Sequence, residues 1–122
     1  MTDIIEKEAA AIQAIRVTDA FVEAVGLLHS CRGKVITTGI GKAGYIANKF
    51  AATMSSTGTS AFFVHPAEAG HGDLGMLSQD DVIVAFSTSG KSNEVLEMLT
   101  NASRNLKINK VIGVTSHIDS PL

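Results

Sequence analysis

At 122 residues, with 45% hydrophobic and 18% charged side chains, the chain is sized for one globular domain with a real core. A formal net charge of −2 without any Lys/Arg cluster argues against a nucleic-acid surface. No apolar run approaches a membrane span of about 20 residues, the start MTDIIEKEAA lacks a signal-peptide core, and Cys31 is the single cysteine, so a cytoplasmic protein is expected.

Residues 1–31 read as one helix, because Ala10, Ala14, Val17, Phe21, Ala24 and Leu28 recur at spacings of three and four. A second set, including Ile5, Ile12, Val25 and Leu27, widens the apolar arc beyond what one sheet face needs. That surplus suits burial against a partner subunit. Arg32-Gly33 closes the helix, and Lys34–Thr38 reads as a β-branched strand. The loop GIGKAG, residues 39–44, then opens a helix with Ile46, Phe50 and Met54 stacked at i, i+4 and i+8. Ala61–Val64 is the second strand. Asp81–Phe86 is the third, with VIVAF apolar on both faces as buried parallel strands are. Val95, Leu99, Ala102 and Leu106 mark another amphipathic helix, and Val111–Thr115 is a fourth strand. Strand–helix alternation of this kind predicts an α/β fold: a three-layer, doubly wound parallel sheet of flavodoxin-like order 2-1-3-4. In the closing SHIDSPL, Ser120 and Pro121 set up a further helix start. The expected organisation is therefore an N-terminal helical segment, 1–33, and a sheet domain, 34–122, incomplete at its C-terminus.

GIGKAG has the form G-x-G-x-x-G, but a dinucleotide site needs an acidic residue at the end of the second strand. Here that strand runs into Val64-His65-Pro66. A Walker loop fails too, since Ala43 follows Lys42. What remains is a backbone loop at a helix N-terminus, with Gly41 at the turn and Lys42 beside it, able to receive an anion. Ser87-Thr88-Ser89-Gly90-Lys91-Ser92 opens the next helix with four hydroxyls and a glycine, a phosphate cradle that requires no metal. In the order 2-1-3-4 these two loops face each other across the switch point. Both could also be ordinary strand-to-helix turns.

Between them lies His65-Pro66-Ala67-Glu68-Ala69-Gly70-His71-Gly72-Asp73. The spacing matches no compact zinc pattern, and acid–base chemistry with a neutral imidazole suits it better. Its polar groups could equally tie down an irregular loop. Glu94 sits where a carboxylate favours the helix dipole or faces the crevice as a base.

The stretches TGIGKAG (38–44), STGT (56–59), FFVHPAEAGHGDLGM (62–76) and FSTSGKSNE (86–94) resemble the arabinose-5-phosphate isomerases, built on the sugar isomerase (SIS) domain. The resemblance runs from about Lys34 to Thr115 and implies a parallel sheet whose last strand is absent here. It implies interconversion of D-ribulose 5-phosphate and D-arabinose 5-phosphate, toward Kdo of lipopolysaccharide or capsule, in a homodimer or homotetramer without cofactor or metal. By residue it implies catalytic roles for Lys42, His71 and Glu94. Ser87, Ser89 and Ser92 match the phosphate loop, and Gly41, Thr88 and His65 are added as substrate-binding candidates. Tyr45 stands where members commonly carry histidine, and Lys91 where many have glutamate. A non-catalytic phosphosugar sensor and an isomerase for another sugar phosphate are the alternatives.

Overall fold

A computed structural model describes residues 2–70 and 72–122, with the backbone alone at Asp73. The N-terminal part forms two helices, α1 (Thr2–Gln13) and α2 (Asp19–His29), not the single helix expected over 1–31. Thr18 takes extended backbone, and its hydroxyl accepts from the Phe21 N–H at 3.3 Å. Such a side-chain cap competes with helix continuation and starts a new helix instead. The apolar stripe continues past this break, but spacing alone does not register a cap. Neither helix has a buried residue; Ile5, Ile12, Val17, Phe21 and Val25 are all exposed.

The rest alternates strand and helix: β1 (Val35–Thr38), α3 (Lys42–Ser56), β2 (Ala61–Phe63), α4 (Pro66–Ala69), a 3-10 turn (Asp73–Met76), β3 (Val82–Phe86), α5 (Asn93–Leu106) and β4 (Val111–Val114). The four strands are parallel, in the expected order β2-β1-β3-β4. Successive side chains of a strand point to opposite faces, and the core divides accordingly. Val35 and Val84 pack with Ala47 and Ala51 of α3 on one face, whereas Ile36 and Ile83 pack with Met98 and Ala102 of α5 on the other.

The face that α3 buries is Gly44, Ala47 and Ala51. This differs from the expected Ile46–Phe50–Met54 stack: Ile46 is exposed, and Phe50 and Met54 are only partly buried. Small side chains let the helix lie close to the sheet, and Thr37, fully buried, donates its hydroxyl to the Ala47 carbonyl at 2.8 Å. Thr38 likewise donates to Val64 O at 2.7 Å, tying the chain leaving β2 to β1. Residues 118–120 form a turn, with the Ser120 N–H donating to the His117 carbonyl at 3.1 Å.

At the opposite end of the sheet, Asp81 joins the starts of β1 and β3. Its fully buried carboxylate accepts from the backbone N–H groups of Lys34 (2.7 Å) and Ser78 (2.8 Å) and from the Ser78 hydroxyl (3.1 Å). The Lys34 ammonium lies 3.1 Å away. Burial pushes this carboxyl up, but the four donors outweigh it and hold the group below its ordinary value.

A depressed carboxyl contributes stability that is present above the unfolded value of 3.8 and is lost as pH falls through the folded value. Asp81→Asn, which faces an amide N–H toward existing donors, should therefore cost on the order of 2–3 kcal/mol at neutral pH. The gap from the parent should narrow below about pH 4. Urea unfolding of both proteins at pH 7 and pH 3 checks this; an equal gap at the two pH values would deny the carboxylate its charged role.

Candidate functional site

The two loops leave the C-terminal ends of adjacent strands. Gly39 and Gly44 lie against each other: a Cβ on Gly44 would come within 2.8 Å of the Gly39 carbonyl oxygen. Gly41 caps α3 at φ +63°, a left-handed conformation that favours glycine, and no side chain caps that helix. The glycines of GIGKAG thus serve a close helix–strand approach and a turn. Lys42, the first residue of α3, is left exposed at the mouth.

In the second loop the hydroxyls hold one another. Ser87, buried, accepts from the Gly90 N–H at 3.0 Å and lies 3.0 Å from the Ser92 hydroxyl. The Ser89 hydroxyl oxygen accepts from the Lys91 N–H at 3.1 Å. A hydroxyl has one O–H to give. Ser89 therefore keeps its donor, the Ser87–Ser92 pair keeps one between them, and Thr88 is exposed. Ser92 precedes α5 without a side-chain cap bond, so the first-turn N–H groups of α5 are free of one.

Ile40, Lys42, Ala43, Ser87, Thr88, Ser89, Ser92 and His117 line one cleft of about 460 Å³. The structure therefore brings Lys42 together with all four candidate hydroxyls, with Gly41 directly before Lys42. Donors with a cation and a helix N-terminus make this a site for an anion.

Other candidates lie elsewhere. Glu94, exposed on the first turn of α5, borders a separate cavity of about 140 Å³ with Pro66, Gly70, Leu74, Glu97 and Asn101. His65 is the N-cap of α4: its Nδ1 accepts from the Ala67 N–H at 3.1 Å, and its ring meets Phe63 edge-on at 6.4 Å. An accepting Nδ1 requires the neutral ring with its proton on Nε2. His71 lies outside the described residues.

Of the polar residues that line the cleft, His117 is the one that the sequence reading did not single out. Its signal was topological. Loops after parallel strands all leave by the same edge, so the segment after β4 borders the same crevice as those after β1 and β3.

The SIS domain family model matches residues 27–122. The chain is 45% identical over 118 residues to the arabinose 5-phosphate isomerase KdsD of Pseudomonas aeruginosa, covering 97% of this chain and 36% of that protein. It is 44% identical over 121 residues to the arabinose 5-phosphate isomerase GutQ of Salmonella typhimurium, covering 99% and 37%. The chain thus spans little more than a third of these curated relatives. Among solved structures, a Bacteroides fragilis candidate phosphosugar isomerase involved in capsule formation superposes with a TM-score of 0.93 at 43% identity, over 99% of this chain and 65% of that one. An Escherichia coli CFT073 protein solved in complex with arabinose 5-phosphate superposes with a TM-score of 0.82 at 40% identity, over 99% and 68%.

The hydrogen-bond pattern separates two serines that look alike in sequence. Ser87→Ala removes one of the two acceptors of the buried Gly90 N–H, which keeps the Ser87 carbonyl at 3.2 Å, and also removes the partner of the Ser92 hydroxyl; it should cost about 1 kcal/mol of stability. Ser89→Ala, on the surface, should stay within about 0.5 kcal/mol of the parent. Denaturant midpoints of the two variants check this; equal losses would mean that the Ser87 bond to Gly90 is not part of the loop's support.

Proposed function

Because this chain belongs to the SIS-domain family, we propose that it is the sugar-phosphate-binding domain of an aldose–ketose isomerase. The substrate pair we assign is D-ribulose 5-phosphate and D-arabinose 5-phosphate, serving Kdo, lipopolysaccharide or capsule synthesis in the cytoplasm. The observation that carries the reading is the cleft itself, where Lys42 and the Ser87–Ser92 loop meet over the start of α5.

In this reading the phosphate sits on the Ser87–Ser92 hydroxyls and the first N–H groups of α5, needing neither cofactor nor metal. The reaction moves a proton between C1 and C2 through an enediol, and negative charge develops on the substrate oxygen. Lys42, exposed beside the Gly41 turn, stabilises that oxyanion. His71 and Glu94 are the proton carriers we assign, on the strength of the HPAEAGHGD and SNE motifs. Such a histidine–carboxylate set is what separates a catalyst from a sensor that only holds the ligand.

We also propose that the working unit is a homodimer or homotetramer. Support comes from α1 and α2, whose exposed Ile5, Ile12, Phe21, Val22 and Val25 form more apolar surface than a monomer usually shows to water. The division into a helical segment, 1–33, and a SIS domain, 34–122, belongs to the same proposal.

The full-length polypeptide, assayed against pentose and hexose phosphates, should turn over the five-carbon pair with the highest kcat/KM. Preference for a hexose phosphate would replace the substrate, and no turnover of any would favour a sensor. In the same assay Lys42→Met should lower kcat more than it raises KM. A lysine that merely packs would leave both unchanged. For the assembly, Phe21→Glu with Val25→Glu should shift the sedimentation profile toward monomer; an unaltered profile would remove these helices from the interface.

A further inference from the structure

We propose that His117 is a direct ligand of the substrate phosphate, completing the cradle from the segment after β4. The inference rests on the proposed phosphate role of the Ser87–Ser92 loop and extends it to a segment outside that loop. His117 lines the cleft with Lys42, Ser87, Thr88, Ser89 and Ser92. It also lines the adjoining groove formed with Ser89, Lys91, Asp119 and Ser120. Ser89, whose O–H remains available, is common to both.

The turn carrying His117 is bound to the loop at several points. The Thr88 carbonyl accepts from both the Thr115 hydroxyl and the Ser116 N–H, each at 3.1 Å. The Thr115 hydroxyl oxygen in turn accepts from the His117 N–H at 3.2 Å, and the His117 carbonyl accepts from Ser120 N–H at 3.1 Å. Gly90, at φ +70°, leaves room for Ser120; a Cβ there would run into the Ser120 Oγ and Cβ. The backbone of the turn is therefore tied to the loop, which sets the His117 Cα beside the hydroxyls.

Among the described residues nothing bonds to the ring itself. His117 is exposed, and the hydrogen bonds of this residue are made by its backbone. No group among the described residues takes up a ring N–H, which can meet an anion alongside the cations of Lys42 and Lys91 and against the carboxylate of Asp119. A contact to the phosphate is remote from the carbons that react. It should act on ground state and transition state alike, and so appear in KM and not in kcat.

The test uses the full-length enzyme with D-arabinose 5-phosphate as ligand and inorganic phosphate as competitor. His117→Ala should raise the dissociation constant for both ligands roughly ten- to a hundredfold, the size of one hydrogen bond to a charged group. KM should rise by a similar factor with kcat near the parent value, and His117→Gln, which keeps an N–H donor, should recover part of the loss. Ser89→Ala is the internal reference. If it weakens binding and neither His117 variant does, the inference is overturned and the phosphate loop stands. If none of the three variants weakens binding, the phosphate loop falls and the inference with it. A fall in kcat at constant KM for His117→Ala would also overturn it, because the ring would then act on the reacting end.

Discussion

The cleft depends on a carboxylate at the far end of the sheet. Asp81 accepts from the backbone of Lys34 on one side and of Ser78 on the other, so the entry to β1 and the entry to β3 are fixed together. From there the register runs without offset, Val35 against Val82 through Thr38 against Ala85. Adjacent strands lie about 4.8 Å apart. The loops after β1 and β3 must therefore emerge side by side, and α3 and α5 then turn to opposite faces. A crevice at that edge follows from the order of the strands. Gly33 abuts the same carboxylate, so the clamp also limits which residue can precede β1.

Within that frame the two loops are built differently. GIGKAG is shaped by the absence of side chains: Gly39 and Gly44 allow α3 to start against β1, and Gly41 makes the turn. STSGKS is shaped by side chains bonding to its own backbone. Ser87 holds Gly90 and Ser89 holds Lys91, so the hydroxyls that would meet an anion already support the loop. A site of this kind is organised before ligand arrives, which lowers the ordering cost of binding.

The parallel sheet was legible because strands and helices alternate and VIVAF is apolar on both faces, and its order followed from the doubly wound arrangement. Other features were not. The break between α1 and α2 hides behind an apolar stripe that continues through Thr18, a residue whose capping bond is local and leaves no periodic trace. The inward face of α3 was misread because its contacts are made by Gly44, Ala47 and Ala51, which hydrophobic patterning weighs less than Ile46. The grouping of Lys42 with the serines could be read from topology, since both loops end strands at the switch point. The separation of Glu94 from that group could not, because it turns on which way one helix position points.

That separation has a geometric origin in the first turn of α5. Ser92 borders the cleft with Lys42, while Glu94 borders the cavity behind it with Pro66 and Gly70. Ser92 is the N-cap, with extended backbone, and Glu94 is the second residue of the helix, so one helix start addresses two spaces. For an isomerase of sugar phosphates this division is useful. The phosphate is inert in the proposed reaction, and a grip on it supplies binding and orientation that do not depend on the reacting carbons. The groups that move protons then need only be placed at a fixed span from that grip.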